Sequence, residues 1–195
     1  MKLFALALAL LLPSMAAAPD VMGNAFGNPN APIMMEIFSD FQCPACKNLH
    51  DNALPEIMRE FVTPGKVYLV QRYFPLQGHP YGMLSAAYVC AASRVGKFEQ
   101  ASNVLFATQQ VWSGTGQVEA TVNTVLTPIE AKKVKSLLND PSVQGQIQHD
   151  LEVGRSVPVN QTPTILVTHG VRRYPIAGVT DLGLLRSFLN DLLKK

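Results

Sequence analysis

The chain has 195 residues, a length that suits one domain or one domain carrying a large insertion. Hydrophobic residues make up 48% and charged residues only 15%, against about 25% in an average soluble domain, which excludes intrinsic disorder and a coiled coil. A net charge of +2 with no long basic run argues against a nucleic-acid partner, and three cysteines are too few, and odd in number, for a disulfide scaffold.

The N-terminus has the order of a secretory signal peptide. Lys2 precedes an uninterrupted apolar run over residues 3–12, Pro13 and Ser14 break it, and Ala16, Ala17 and Ala18 follow. A bilayer span needs roughly 20 apolar residues, so the run is too short for an anchor. Residues 1–18 are therefore expected to be removed. The small-x-small triplet Ser14-Met15-Ala16 favours cleavage after residue 16 over cleavage after 18, which would leave Pro19 first. The mature protein is expected in the periplasm or otherwise outside the cytoplasm, where disulfides persist.

Residues 24–32, rich in Gly, Asn and Pro, read as a loop. Residues 33–39 are apolar apart from Glu36 and suit a buried strand. Residues 43–61 read as a helix kinked at Leu54-Pro55, and 66–74, rich in Val and Tyr, as a second strand. Helical spacing then runs over 81–95 and 98–109, followed by a flexible turn at Ser113-Gly114-Thr115-Gly116. Thr127-Pro128-Ile129-Glu130 is a capping box with Pro at the first helical position, and Asp140-Pro141 starts another helix in the same way. Residues 164–168 and 171–176 are short strands, joined by His169-Gly170 as a hairpin turn. Thr180-Asp181 opens a last amphipathic helix carrying Leu182, Leu185, Phe188, Leu189 and Leu192. The order is βαβ, a helical block, then ββα. A parallel crossover feeding an antiparallel hairpin makes one mixed sheet flanked by helices, an α/β fold.

Chemistry concentrates where the first strand gives way to the first helix, at Phe41-Gln42-Cys43-Pro44-Ala45-Cys46. Cysteines three apart on one helical face bring their Cβ atoms to about 5–6 Å, near the range a disulfide bridges. So small a loop constrains the unfolded chain little, which favours a pair that changes redox state over a static bridge. Pro44 suits the first helical position, where its missing N–H is no loss. Cys43, as the cap, meets unpaired N–H groups and the positive end of the helix dipole, which favour thiolate over thiol. It is thus the natural nucleophile, and Cys46 suits the resolving step. A Cys2His2 zinc set adding His50 and His79 is the alternative. A c-type haem needs His where Lys47 stands.

The stretch from Phe38 through Cys43-Pro44-Ala45-Cys46 to Lys47 resembles the active site of the DsbA-like thiol-disulfide oxidoreductases of the thioredoxin superfamily. The Leu54-Pro55 kink, the Pro75-Leu76 and His79-Pro80 segment, and Asn160-Gln161-Thr162-Pro163-Thr164 fit the same pattern, which covers essentially the whole mature chain. The resemblance implies a thioredoxin fold whose first half is 19–75 and second half 159–195, with an inserted all-helical domain at 76–158. It implies that Pro163 is a cis-proline facing Cys43, and that Pro44, Ala45, Thr162 and Pro163 shape the surface where a substrate backbone pairs by strand addition. An ordinary strand-entry proline is the other reading of Pro163.

The resemblance also implies reduced or unfolded secreted proteins as substrates, a membrane reoxidant of the DsbB or VKOR type, and no cofactor or metal beyond the redox-active disulfide. One position departs from the pattern. Relatives often carry a buried acid where Ile37 stands, and Glu36 is one residue earlier. Because strand neighbours point to opposite faces, Glu36 serves as a proton relay only if the strand is locally shifted. Disulfide donation is the leading function. A reductase or isomerase of the same fold and a non-catalytic peptide-binding chaperone module are the alternatives.

Outside the site, Cys90 in its run of small residues reads as a buried small hydrophobe. Trp112 reads as packing, His79 as a hydrogen-bonded loop residue, and Met34, Met35, Met58 and Met83 as core.

Overall fold

The computed structural model describes residues 23–178 and 181–194, so the signal-peptide reading of 1–18 and the Thr180 part of the last helix start lie outside the described residues. Five strands, β1 (Ala25–Phe26), β2 (Ile33–Ser39), β3 (Val67–Tyr73), β4 (Thr164–His169) and β5 (Arg172–Ala177), form one sheet in the order β1-β3-β2-β4-β5. β2 and β3 are parallel and the other pairs antiparallel, as a βαβ unit followed by a hairpin requires.

Two boundaries differ from the sequence reading. β1 lies within the segment read as a loop. Two residues are too few to show an alternating pattern, and the strand is held by tertiary contacts. Gln71 N–H donates to Asn24 O at 2.9 Å, and the Asn24 side chain donates to Gln71 O. The hairpin turn is Gly170-Val171, one residue later than expected, because His169 pairs with Arg172. Gly170 has φ +58°, the left-handed conformation that the first loop position of a type II′ turn demands.

The alternation of β2 divides the core. Ile33, Met35 and Ile37 face Leu49, Ile57 and Phe61 of the active-site helix and Leu185, Leu189 and Leu192 of the C-terminal helix. Phe38 faces the helical block. The active-site helix starts as α1 (Pro44–Asn48), widens into a π-helical stretch (Leu49–Ala53), tightens to α2 (Leu54–Ile57) and widens again (Met58–Val62). Pro55 has no N–H to give and its ring crowds the preceding turn, so the chain absorbs the mismatch in wide turns without breaking.

Between β3 and β4 lie α3 (Gly82–Ser93), α4 (Phe98–Ala107), α5 (Gln109–Trp112), α6 (Val118–Asn123), α7 (Pro128–Leu137) and α8 (Pro141–Ser156), and α9 (Leu182–Leu192) closes the chain. The capping box is present: Thr127 Oγ1 accepts from Glu130 N–H and Glu130 Oε2 accepts from Thr127 N–H. Asp140 and Asp181 cap α8 and α9 through their carboxylates. α8 lies close against the sheet because Gly154 has no side chain; a Cβ there would overlap the Phe74 ring. Trp112 is fully buried and donates to Leu105 O at 2.7 Å. Cys90 is buried, with its thiol pushed up to about 11 by loss of solvent. Met35 is core, but Met83 is 48% exposed on the first turn of α3. Helical periodicity there marked a face without showing that nothing packs on it. Among the described residues, no helix is long and apolar enough to cross a membrane.

Candidate active site

β2 ends at Ser39, and the chain turns through Asp40 into α1. Asp40 organises this turn, and sequence reasoning missed it. Its N–H donates to Cys46 Sγ at 3.5 Å, and its carbonyl accepts from Cys43 N–H at 3.1 Å. Its carboxylate, wholly buried, accepts from Gln42 N–H and Leu76 N–H, each at 2.8 Å, and lies 2.7 Å from His79 Nδ1. The loop after β3 is thereby bound to the turn that presents both cysteines. Gly82 contributes by approaching closely, since a Cβ there would sit about 3.1 Å from the Asp40 carboxylate.

A second clamp comes from the helical block. Gln109 of α5 donates through Nε2 to Phe41 O at 2.7 Å and Cys43 O at 3.0 Å. Gln42 donates to Ser113 O and accepts from Tyr81 N–H. Nothing local in the sequence marks Gln109, which lies far along the chain from the turn it holds. The unbroken glutamine-to-backbone contact exists only once α5 is folded against α1.

Cys43 occupies the N-cap with an extended backbone, and Pro44 opens α1. Both cysteines are unbridged. Cys43 is 7% exposed and Cys46 only 1%, so a reaction partner meets Cys43 first. The two thiols are driven apart in acidity. Cys43 is lowered from 9.0 to about 5, chiefly by a hydrogen bond from Cys46. Burial opposes this, and the Thr162 side chain and the amides of Cys46 and Ala45 add to it. Cys46 is pushed up, first by burial and then by the hydrogen bond and charge of Cys43, with the Asp40 amide in partial compensation. This is the separation a nucleophile and a protonated partner need.

The peptide bond Thr162–Pro163 is cis, and Thr162 lies against the nucleophile. As a thiol, Cys43 Sγ donates to Thr162 O at 3.4 Å. The Thr162 hydroxyl is buried without a partner among the described residues and favours the thiolate. The structure therefore brings Cys43, Pro44, Ala45, Cys46, Thr162 and Pro163 together across a long separation in sequence.

Glu36 is placed elsewhere. The β2 register with β3 and β4 runs without a bulge, so the strand is not shifted and Ile37 keeps the inward position. Ile37 and Ser39 line a void of about 10 Å³ beside Cys46. Glu36 points to the opposite face, where Oε1 accepts from Arg72 Nε at 2.9 Å and Nη2 at 2.7 Å. Arg72 Nη1 also donates to Asp150 Oδ1 of α8 at 2.8 Å. The carboxylate thus belongs to a buried ion-pair cluster joining sheet and helical block, and the proton-relay expectation for Glu36 is corrected.

The zinc alternative is likewise not assembled. His50 lies between Asp51 Oδ1 and Asn103 Oδ1, and His79 is taken by Asp40. Among the described residues, no group of three or more His, Cys, Asp or Glu side chains is disposed to hold a metal ion.

A family model described as thioredoxin matches residues 20–177. The chain belongs to the thioredoxin family. Within that family it is similar to disulfide bond formation protein D of Bacillus subtilis (strain 168), at 25% identity over 168 residues, covering 81% of this chain and 73% of the relative. Its fold matches the crystal structure of oxidised BdbD from Bacillus subtilis with TM-score 0.71 and 23% identity, covering 89% of this chain and 94% of that one. It matches Wolbachia pipientis alpha-DsbA1 with TM-score 0.73 and 20% identity, over 95% and 94% of the two chains. This member of the family is a DsbA-like thiol-disulfide oxidoreductase, with its cysteines in the C-x-x-C spacing at Cys43 and Cys46.

Proposed function

We infer that this oxidoreductase works outside the cytoplasm and donates the Cys43–Cys46 disulfide to reduced, incompletely folded secreted proteins. The observation that carries this reading is the placement of Cys43 at the positive end of α1, beside the Cys46 thiol and a Thr162 hydroxyl that has no other partner among the described residues. All of these stabilise the sulfur as an anion, which is its form after it has given up its disulfide. Stabilising the reduced form makes the pair a stronger oxidant.

In the forward reaction a substrate thiolate attacks Cys43 Sγ and the Cys43–Cys46 bond breaks. Cys46 leaves as a thiolate beside the Asp40 N–H and takes up a proton. A second substrate thiolate then attacks the substrate sulfur of the mixed disulfide, and Cys43 leaves as a thiolate. The substrate dithiol loses two electrons and the pair gains them. Pro44, Ala45, Thr162 and Pro163 form the surface on which the attacking chain lies. The disulfide is itself the redox group, so no cofactor is required. Each turnover leaves the pair reduced, and a membrane partner of the DsbB or VKOR type reoxidises it. The signal-like segment at 1–18 supports a periplasmic or otherwise extracytoplasmic site of action.

The test is the midpoint of the pair in glutathione buffers, read by thiol alkylation and mass. A value towards about −120 mV supports a donor; one towards about −270 mV makes the protein a reductase and reverses the proposed direction.

A further inference from the structure

Beside the nucleophile runs a groove of about 450 Å³ in the seam between the active-site helix and α5. It starts at Gln42 and Pro44, on either side of Cys43 in sequence, and is bounded by Asn48, Asn52, Gln109 and Gln110. Its chemistry is unusual for a surface groove in that five of its lining side chains are carboxamides: Gln42, Asn48, Asn52, Gln109 and Gln110. No aromatic ring lines it. Its two charged residues, Lys47 and Asp51, neutralise each other in an ion pair one helical turn apart.

The carboxamides divide into two sets. Gln42 is committed at both ends, to Ser113 O and Tyr81 N–H, and Gln109 Nε2 is committed to Phe41 O and Cys43 O. These build the floor and tie it to the main chain of the nucleophile. Asn52 donates to Asn48 at 2.7 Å, which leaves the Asn48 NH₂ and the Asn52 carbonyl oxygen without a partner among the described residues. Gln110 is exposed, and its side chain also has no partner there. The walls therefore present donors and acceptors side by side, with no net charge.

That pattern is complementary to a peptide main chain, which alternates one N–H donor with one C=O acceptor per residue. Resting on the oxidoreductase reading above, we propose that this carboxamide groove binds the extended backbone of a substrate polypeptide flanking the cysteine bonded to Cys43. It recognises the main chain and not a particular side-chain sequence. Gln42 and Pro44 flank Cys43 and Gln109 holds its carbonyl, which favours a polypeptide over a saccharide: a chain joined to that sulfur must lay its flanking residues on the surface near it. The missing aromatic ring also argues against a sugar, whose apolar face would need one. Walls without net charge suit clients of any charge, as a donor serving unrelated proteins requires.

The test compares the oxidised wild type with the variant Asn48→Ala/Asn52→Ala/Gln110→Ala, three exposed positions on formed helices. Each is reacted by stopped flow with reduced glutathione and with a reduced nine-residue peptide carrying one central cysteine. The variant is expected to lower the ratio of peptide to glutathione rate constants by about tenfold or more, the effect of two or three lost main-chain hydrogen bonds. N-methylating the peptide backbone beside its cysteine should slow the wild type and leave the variant insensitive. An unchanged ratio with normal glutathione exchange would overturn the groove and spare the oxidoreductase reading. A wild type that oxidises neither glutathione nor peptide would overturn both. Oligosaccharide binding at the Asn48 and Asn52 side chains, with no peptide effect, would assign the groove to a different ligand and overturn the proposal.

Discussion

Removing the Cys43 thiol should abolish a pH-dependent part of the stability of the reduced protein. Cys43 titrates at about 5 in the folded state against 9.0 when unperturbed. Because the folded value is depressed, the stabilisation is complete above pH 9, declines between the two values, and is lost as pH falls through about 5. At pH 7 it amounts to about 3 kcal/mol, and at pH 5 to less than about 1 kcal/mol. Cys46 adds nothing in this window, because a thiol whose titration is pushed upward is protonated in both folded and unfolded chains. The same free energy makes the pair about 60 mV more oxidising at pH 7 than an unperturbed dithiol. The assay is urea unfolding of the reduced wild type and of Cys43→Ala from pH 4.5 to 8, since the difference between the two cancels other titrating groups. The difference should rise by about 2 kcal/mol from pH 5 to pH 7. A flat difference across that range would refute the claim that the fold holds Cys43 as a thiolate.

Asp40→Ala leaves the part-buried Gln42 and Leu76 amides and the His79 ring without their acceptor; an orphaned group costs up to about 1–3 kcal/mol where water cannot reach it, so a fall in the urea midpoint is expected, together with slower exchange at Cys43. Arg72→Met strands Glu36 and Asp150 as buried carboxylates and should cost about 3–5 kcal/mol. Adding Glu36→Gln and Asp150→Asn to it should recover part of that loss, and an additive triple variant would show that charge is not the cause. Gly154→Ala drives a methyl group into the Phe74 ring and should cost about 1–3 kcal/mol, seen as a lower Tm in both redox states.

Local chemistry made much of the molecule legible. The Thr127–Glu130 capping box, the Asp140 and Asp181 caps and the apolar run of β2 depend on neighbours a few residues apart, so their sequence signals survive in the fold. The C-x-x-C pair is local in the same sense: a cap cysteine, a first-turn proline and a second cysteine one turn on. That sufficed to name the nucleophile and its partner.

What depends on distant contacts was not legible. A two-residue edge strand, the exposure of Met83 and the Gly170-Val171 turn were all decided by what packs or pairs from elsewhere. The same holds at the site. Sequence placed an acid one residue from the inward position but could not say which way it pointed; an unbulged β2 register and the charge of Arg72 sent Glu36 to the far face. The roles of Asp40 and Gln109 were not legible, because Leu76 and His79, which Asp40 ties to the turn, and the Phe41 and Cys43 carbonyls that Gln109 holds are remote from them in the chain. The sequence by itself determined the reacting pair. Only the tertiary structure decided the surroundings that set its acidity and orientation, since burial and hydrogen-bond geometry come into being when separate segments meet.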